Sequence, residues 1–211
     1  MKPLRGQPNE SIILVMAAGQ SRRFGSDKRQ AHLADGQTLL MATLSRVMCC
    51  EVDWRLLLRE DDDPAVLLGD DFAREHAGRF WRAPQAGNGL GASLGDAFRQ
   101  LEDDAGLAHV QVAAVWLADM AQITAQTFHV LRAEAQADGV HIVRPRLDGE
   151  GGPGHPVLFG RVLWAELATL EGGEGAREVI ARHREALRQV VVGDAGIHHD
   201  IDTPAMLELR G

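Results

Sequence analysis

Cysteine and positive charge are scarce in this chain of 211 residues, and no long hydrophobic run interrupts it. The two cysteines, Cys49 and Cys50, are sequence neighbours. Adjacent side chains diverge on a helix, so a disulfide between them needs distorted geometry. They read instead as two small reduced hydrophobes in a core, which fits a reducing cytoplasm. No apolar stretch approaches the roughly 20 residues that span a bilayer, so no membrane partner is expected. The polar start, Met1 to Ser11 with Pro3 and Pro8, has no apolar signal core. Basic residues number 22 against 30 acidic ones, giving a formal net charge of -8 and a pI near 5.6. Nucleic acid is usually met by a basic face, and it is not an expected partner here.

What is present is ordinary for a soluble globular protein: 45% hydrophobic and 25% charged residues. Disorder, collagen and coiled coil are poor readings. One domain over residues 1–211 is expected, with about the first ten residues as a flexible polar extension. A chain of this length buries about 70% of its unfolded surface.

Ile12 to Met16 is a short, uninterrupted apolar run, which predicts a strand buried on both faces, as in a parallel sheet covered by helices. Further strands are expected at Trp54–Leu58, Arg79–Ala83, Val110–Leu117, Val140–Arg144, Val157–Phe159 and Leu187–Val192. Helices are expected at Leu39–Cys50, Ala65–His76, Leu94–Asp103, Thr124–Ala137, Val162–Leu170 and Ala176–Arg184, with a last one opening at Pro204. Strands alternating with helices predict an α/β sheet with right-handed crossovers. Trp54, Trp81, Trp116 and Trp164 read as core or sheet-packing residues.

Three features could carry chemistry. The stretch Ala17-Ala18-Gly19-Gln20-Ser21-Arg22-Arg23-Phe24-Gly25 leaves the first strand at its carboxyl end, where open α/β sheets bind ligands. Small residues let backbone N–H groups approach an anion, and Arg23 and Lys28 supply charge. It has neither the dinucleotide glycine spacing nor the Gly-Lys-Ser/Thr of a P-loop, and a tight turn with solvated cations is the alternative. Asp119 follows a strongly hydrophobic strand and should emerge at the same edge of the sheet. It suits Mg²⁺, a hard cation taking oxygen ligands, and equally a turn or cap. Asp200 and Asp202 sit two apart, on one side of an extended segment, as metal ligands, the alternative being that Asp202 or Thr203 caps the final helix.

Together these residues resemble a family. The loop from Ala17 with Lys28 is similar to the nucleotide-binding signature of MobA-like nucleotidyltransferases, and Leu117-Ala118-Asp119-Met120 to their aspartate motif. Gly154-His155-Pro156-Val157-Leu158-Phe159 and Asp200-Ile201-Asp202-Thr203-Pro204 resemble their later motifs, closest to the branch containing molybdenum cofactor cytidylyltransferase. The resemblance implies a three-layer, Rossmann-like, mostly parallel sheet of nucleotide-diphospho-sugar transferase type. It implies an NTP held by Ala17, Ala18, Gly19, Ser21, Arg23 and Lys28, with Pro84, Gly91 and Ser93 bordering the base. Mg²⁺ would sit between Asp119, Asp202 and the phosphates; Arg23, Lys28 and Asp119 would be catalytic, and His155 and Asp200 acceptor-side. His155 is otherwise a loop histidine with a satisfied ring nitrogen.

The implied reaction is in-line attack by a phosphorylated acceptor, such as molybdenum cofactor, on the α-phosphate of an NTP, releasing pyrophosphate. The Ala17-Ala18-Gly19 opening is similar to cytidylyl-transferring members and points to CTP. The alternatives are guanylyl or other transfer to a different acceptor, and a non-catalytic protein that binds and delivers cofactor. A molybdoenzyme or maturation factor is the implied protein partner. Two departures stand out: Ala121 where the family commonly has proline, and Gly173 where related sequences commonly have aspartate. The missing acid bears on the acceptor side.

Overall fold

In the computed structural model, residues 10–21, 24–136, 141–149 and 151–201 are described. The expectations for Arg23, Asp202 and the helix at Pro204 lie outside them.

The central strand β1 (Ser11–Met16) is buried along its whole length because it has a neighbour on each side and a helical layer on each face. It runs parallel to β2 (Asp53–Arg59) on one side and to β4 (Val112–Leu117) on the other, with Ile12 opposite Asp53 and Ser11 opposite Val112. With β3 (Phe80–Ala83), β5 (Ile142–Leu147), β6 (Val157–Gly160) and β7 (Leu187–Val192), the strand order is β3-β2-β1-β4-β6-β5-β7. Only β6 is antiparallel to its neighbours, so the expected mostly parallel, three-layer sheet is what forms.

Alternation along β1 divides the core. Ile12, Leu14 and Met16 face α4 (Leu90–Asp103), α6 (Trp164–Leu167) and α7 (Arg177–Arg182), where Phe98, Trp164 and Val179 are fully buried. Ile13 and Val15 face α1 (Leu39–Met48) and α5 (Ala125–Ala135), through Leu40, Leu44, Phe128 and Leu131. Each fully buried side chain of this kind contributes about 1.5–3 kcal/mol. The hydroxyls of Thr38 and Thr124 accept from backbone N–H groups three residues on, fixing the starts of α1 and α5.

Several expectations are corrected. The helix expected at Ala65–His76 is two, α2 (Pro64–Leu68) and α3 (Asp70–Glu75), broken where Gly69 takes a φ of 84°. The helix α4 begins at Leu90, not Leu94, so Gly91 and Ser93 lie in its first turn rather than in a loop. The helix expected over Val162–Leu170 is a 3₁₀ turn, Arg161–Leu163, followed by the single turn α6. β5 runs on to Leu147 through Pro145, tolerated because β6 pairs only with Ile142 and Val143 and leaves the proline's nitrogen no ladder to break. Of the two cysteines only Cys50 is in the core; Cys49 is exposed. Burial, helped by the neighbouring thiol, pushes the Cys50 thiol up to about 12.

Candidate active site

Parallel pairing of β1 and β4 places Met16 opposite Leu117, so both strands open on the same edge of the sheet. There the Lys28 ammonium donates to the Asp119 carboxylate, joining the two loops by a largely buried ion pair. Together with Ala17, Ala18, Gly19, Ser21 and Ser93, the pair lines one cavity of about 440 Å³. Residues 91 positions apart in the chain thus meet at the edge where the sheet presents its loops.

The first loop is shaped from behind by two arginines. Arg29 donates from Nη1 to the Ala17 carbonyl at 2.9 Å. Arg59 donates from Nε to the Ala18 carbonyl at 3.4 Å and from Nη2 to the Gly19 carbonyl. In a trans peptide unit the N–H points opposite to the C=O, so the N–H groups of Ala18, Gly19 and Gln20 turn away from the arginines. Ser21 takes a φ of 48°, and its hydroxyl accepts the Lys28 N–H at 3.4 Å, tying the turn to the residue that reaches Asp119.

Arg29 itself is buried and doubly paired. Its guanidinium donates to Asp27 from Nε at 2.8 Å and from Nη2 at 2.5 Å, and to Asp62 from Nη2 at 2.7 Å. Burial alone would lower its pKa, but hydrogen bonds and charge from Asp27 and Asp62 raise it. Burial likewise opposes the Asp27 carboxylate, yet Arg29, aided by Arg59, holds it below the ordinary carboxylate value. Sequence reading missed this support: nothing local pairs Arg29 with Asp62, 33 residues away, and the acidic run Asp61-Asp62-Asp63 reads only as a turn.

Pro84 and Gly91 do not line the cavity, whose second wall is Ala86, Gly87, Asn88, Gly89, Leu90 and Ser93. Gly91 serves packing instead. A Cβ there would lie 2.3 Å from the Gly172 carbonyl, and that carbonyl accepts the Ala92 N–H at 3.1 Å. The Gly172–Gly175 turn is thereby laid against the start of α4, which brings Gly173 to the cavity wall.

His155 and Asp200 are not on the cavity wall. The His155 N–H donates to the Ile197 carbonyl at 3.0 Å, while its Nδ1 is buried without a hydrogen-bond partner. Burial lowers the His155 pKa against the opposing effects of the Val115 backbone and of the charges on Asp119 and Asp200. Asp200 is exposed, and the next residue, Ile201, donates its N–H to the Asp119 carbonyl at 3.3 Å. Ile201 also packs with Phe24, Leu39 and Ala121, so the late segment reaches both loops of the site. Among the described residues no group of three His, Cys, Asp or Glu side chains could hold a metal, and Asp202 is not among those residues. No helix of the described residues is long and apolar enough to cross a membrane.

A model of the MobA-like NTP transferase domain matches residues 13–187. No curated protein matches the chain significantly. Among solved structures, the Mycobacterium sp. strain JC1 homolog of Mycobacterium tuberculosis Rv0371c is 28% identical with a TM-score of 0.73, covering 95% of this chain and 94% of its own. The manganese complex of Rv0371c from M. tuberculosis H37Rv is 20% identical, TM-score 0.67, covering 95% and 97%. Molybdopterin-guanine dinucleotide biosynthesis protein A from Archaeoglobus fulgidus is 18% identical, TM-score 0.61, covering 94% and 96%.

Proposed function

The chain belongs to the MobA-like NTP transferase family and is a nucleotidyltransferase, and on that premise we propose that it transfers CMP from CTP to a phosphorylated acceptor of the molybdenum cofactor type, releasing pyrophosphate. The observation that carries this reading is the convergence of the Ala17–Ser21 loop, Lys28 and Asp119 on one cavity. The Ala17-Ala18-Gly19 opening supports cytosine over guanine.

In this reading the triphosphate lies along the first loop, where the N–H groups turned away from Arg29 and Arg59 receive phosphate oxygens. Lys28 offsets charge on the transferring and leaving phosphates, and Arg23 assists it. Asp119 offers hard oxygen donors beside the phosphate site, which suits Mg²⁺, an ion usually held by one or two carboxylates plus substrate phosphates. Asp202 is the proposed second carboxylate, and the Ile201–Asp119 hydrogen bond supports its nearness. When bound, the ion would polarise the α-phosphate. The manganese bound by the structural relative supports a divalent cation without choosing between metals. In the free protein Lys28 satisfies the Asp119 carboxylate; with a cation held by that carboxylate, the ammonium would be available to the phosphates. A phosphate acceptor is already deprotonated, so positioning and charge stabilisation suffice and no general base is needed. His155, whose ring burial makes harder to charge, and Asp200 are the acceptor-side residues in this reading.

The test is pyrophosphate release with Mg²⁺, each NTP in turn and a molybdopterin-type acceptor. Release is expected to be greatest with CTP and to vanish in Asp119→Asn with the fold intact. Release greatest with GTP overturns the base assignment, and unchanged turnover in Asp119→Asn overturns the metal assignment. No release with any pair, alongside tight cofactor binding, favours a carrier.

A further inference from the structure

Two strands beyond β4, on the face of the sheet covered by α7, lies a second concavity of about 420 Å³. Arg144, Arg177, Arg184 and Gln189 surround it, over an apolar floor that includes Ile180 and Leu187. The fold builds it from separate pieces. Arg144 follows Ile142 by two residues on β5, so it points to the same face as that core residue. Its register partner on β7 is Gln189. Arg177 opens α7, and Arg184 stands just after that helix ends.

The three guanidiniums are matched to nothing in the described protein. None of them forms an ion pair with a carboxylate among the described residues, whereas neighbouring Arg182 pairs with Glu166 at 2.6 Å. The Nε of Arg144 is buried and has no hydrogen-bond partner. Burial lowers its pKa, and no carboxylate among the described residues opposes the effect. A buried donor left unmade is costly at Arg144, and the exposed Arg177 and Arg184 add positive charge beside it with no carboxylate paired to them among the described residues, so the hollow suits an external anion.

We propose that this cavity binds the phosphoryl group of a small molecule. A guanidinium fork fits carboxylate and phosphate alike, but three forks supply more charge and donors than one carboxylate can accept, and a phosphate dianion can use them. Gln189 adds a neutral donor, and Ile180 and Leu187 give an organic body an apolar surface. The concavity is of the size that small ligands occupy, not a flat face for a protein. β4 and β6 separate β5 from β1, so the site is distinct from the catalytic cavity and the proposal does not depend on what that cavity turns over.

The experiment follows the arginine Nε–Hε resonances of the full ¹⁵N-labelled chain carrying Lys28→Ala, which weakens phosphate binding at the other cavity. Probes are inorganic phosphate, ribose 5-phosphate and chloride at constant ionic strength. A saturable shift of the Arg144 resonance with a phosphate probe is expected, and Arg177→Gln with Arg184→Gln, both exposed positions, should weaken it by roughly tenfold or more. Tighter saturation by ribose 5-phosphate identifies an organic phosphate as the ligand, and equal saturation identifies free phosphate. No saturable shift, the same shift with chloride (an adventitious ion only), or an unchanged titration in the double variant overturns the proposal. Saturation by a polyglutamate peptide and by no phosphate probe overturns it in favour of a protein partner.

Discussion

Replacing Arg29 by methionine removes the buried guanidinium that Asp27, Asp62 and the Ala17 carbonyl share. The Arg29 side chain is 4% exposed and that of Asp62 9%, so the cost follows buried rather than surface ion pairs. Removing one partner of a buried pair costs about 3–5 kcal/mol. For a protein of this length each kcal/mol moves Tm by about 2–4 °C, so a fall of roughly 6–20 °C is expected. Asp62→Asn keeps the shape and one acceptor oxygen but removes the carboxylate's charge and its second acceptor toward the Arg29 guanidinium, at about 1–3 kcal/mol. The two losses should not add. With Arg29 gone, the Asp62 charge is itself uncompensated, and neutralising it relieves part of the damage. The double variant should therefore be more stable than the sum of the singles implies, by about 1 kcal/mol or more. Urea unfolding followed by tryptophan fluorescence measures all four states. The same clamp shapes the Ala17–Gly19 backbone, so the thermal stabilisation given by a nucleoside triphosphate with Mg²⁺ should shrink in Arg29→Met. Losses that add to within about 0.5 kcal/mol would refute the coupling. An undiminished nucleotide effect would refute the role in shaping the loop.

Gly95→Ala on α4 should destabilise by about 1–3 kcal/mol, because its Cβ would sit 2.2 Å from the Leu170 carbonyl oxygen; a neutral result in urea would mean that α6 and the turn after it are not seated on α4 as described. Asp194 accepts from Thr124 N and Thr124 Oγ1 at 2.9 Å, from Thr127 Oγ1 at 2.6 Å and from Gly196 N at 2.9 Å, and these bonds outweigh burial to hold its carboxyl below the ordinary 3.8. Its stabilisation should be complete above that ordinary value and vanish as pH falls through the lower native one, so wild type and Asp194→Asn should converge in stability toward strong acid, and a gap independent of pH would contradict it.

The sequence by itself determined the elements. Apolar runs short enough for strands and β-branched enough to be buried on two faces mark β1 and β4, and helical spacing marks α1 and α5, because these signals come from residues near one another in the chain. The loop of small residues ending near Lys28, and Asp119 beyond a hydrophobic strand, were legible for the same reason. Local signals also misled: the breaks at Gly69 and after Leu163, and the early start of α4, depend on a left-handed glycine or on a partner segment such as Gly172. Only the tertiary structure decided which distant charges meet. It paired Lys28 with Asp119 and left Pro84 off the cavity wall. It gave Arg29 two carboxylates that burial makes necessary, and it gathered Arg144, Arg177 and Arg184 with no carboxylate paired to them among the described residues. Periodicity reports which face of an element is buried, while the energy of a buried charge depends on what the rest of the fold places beside it.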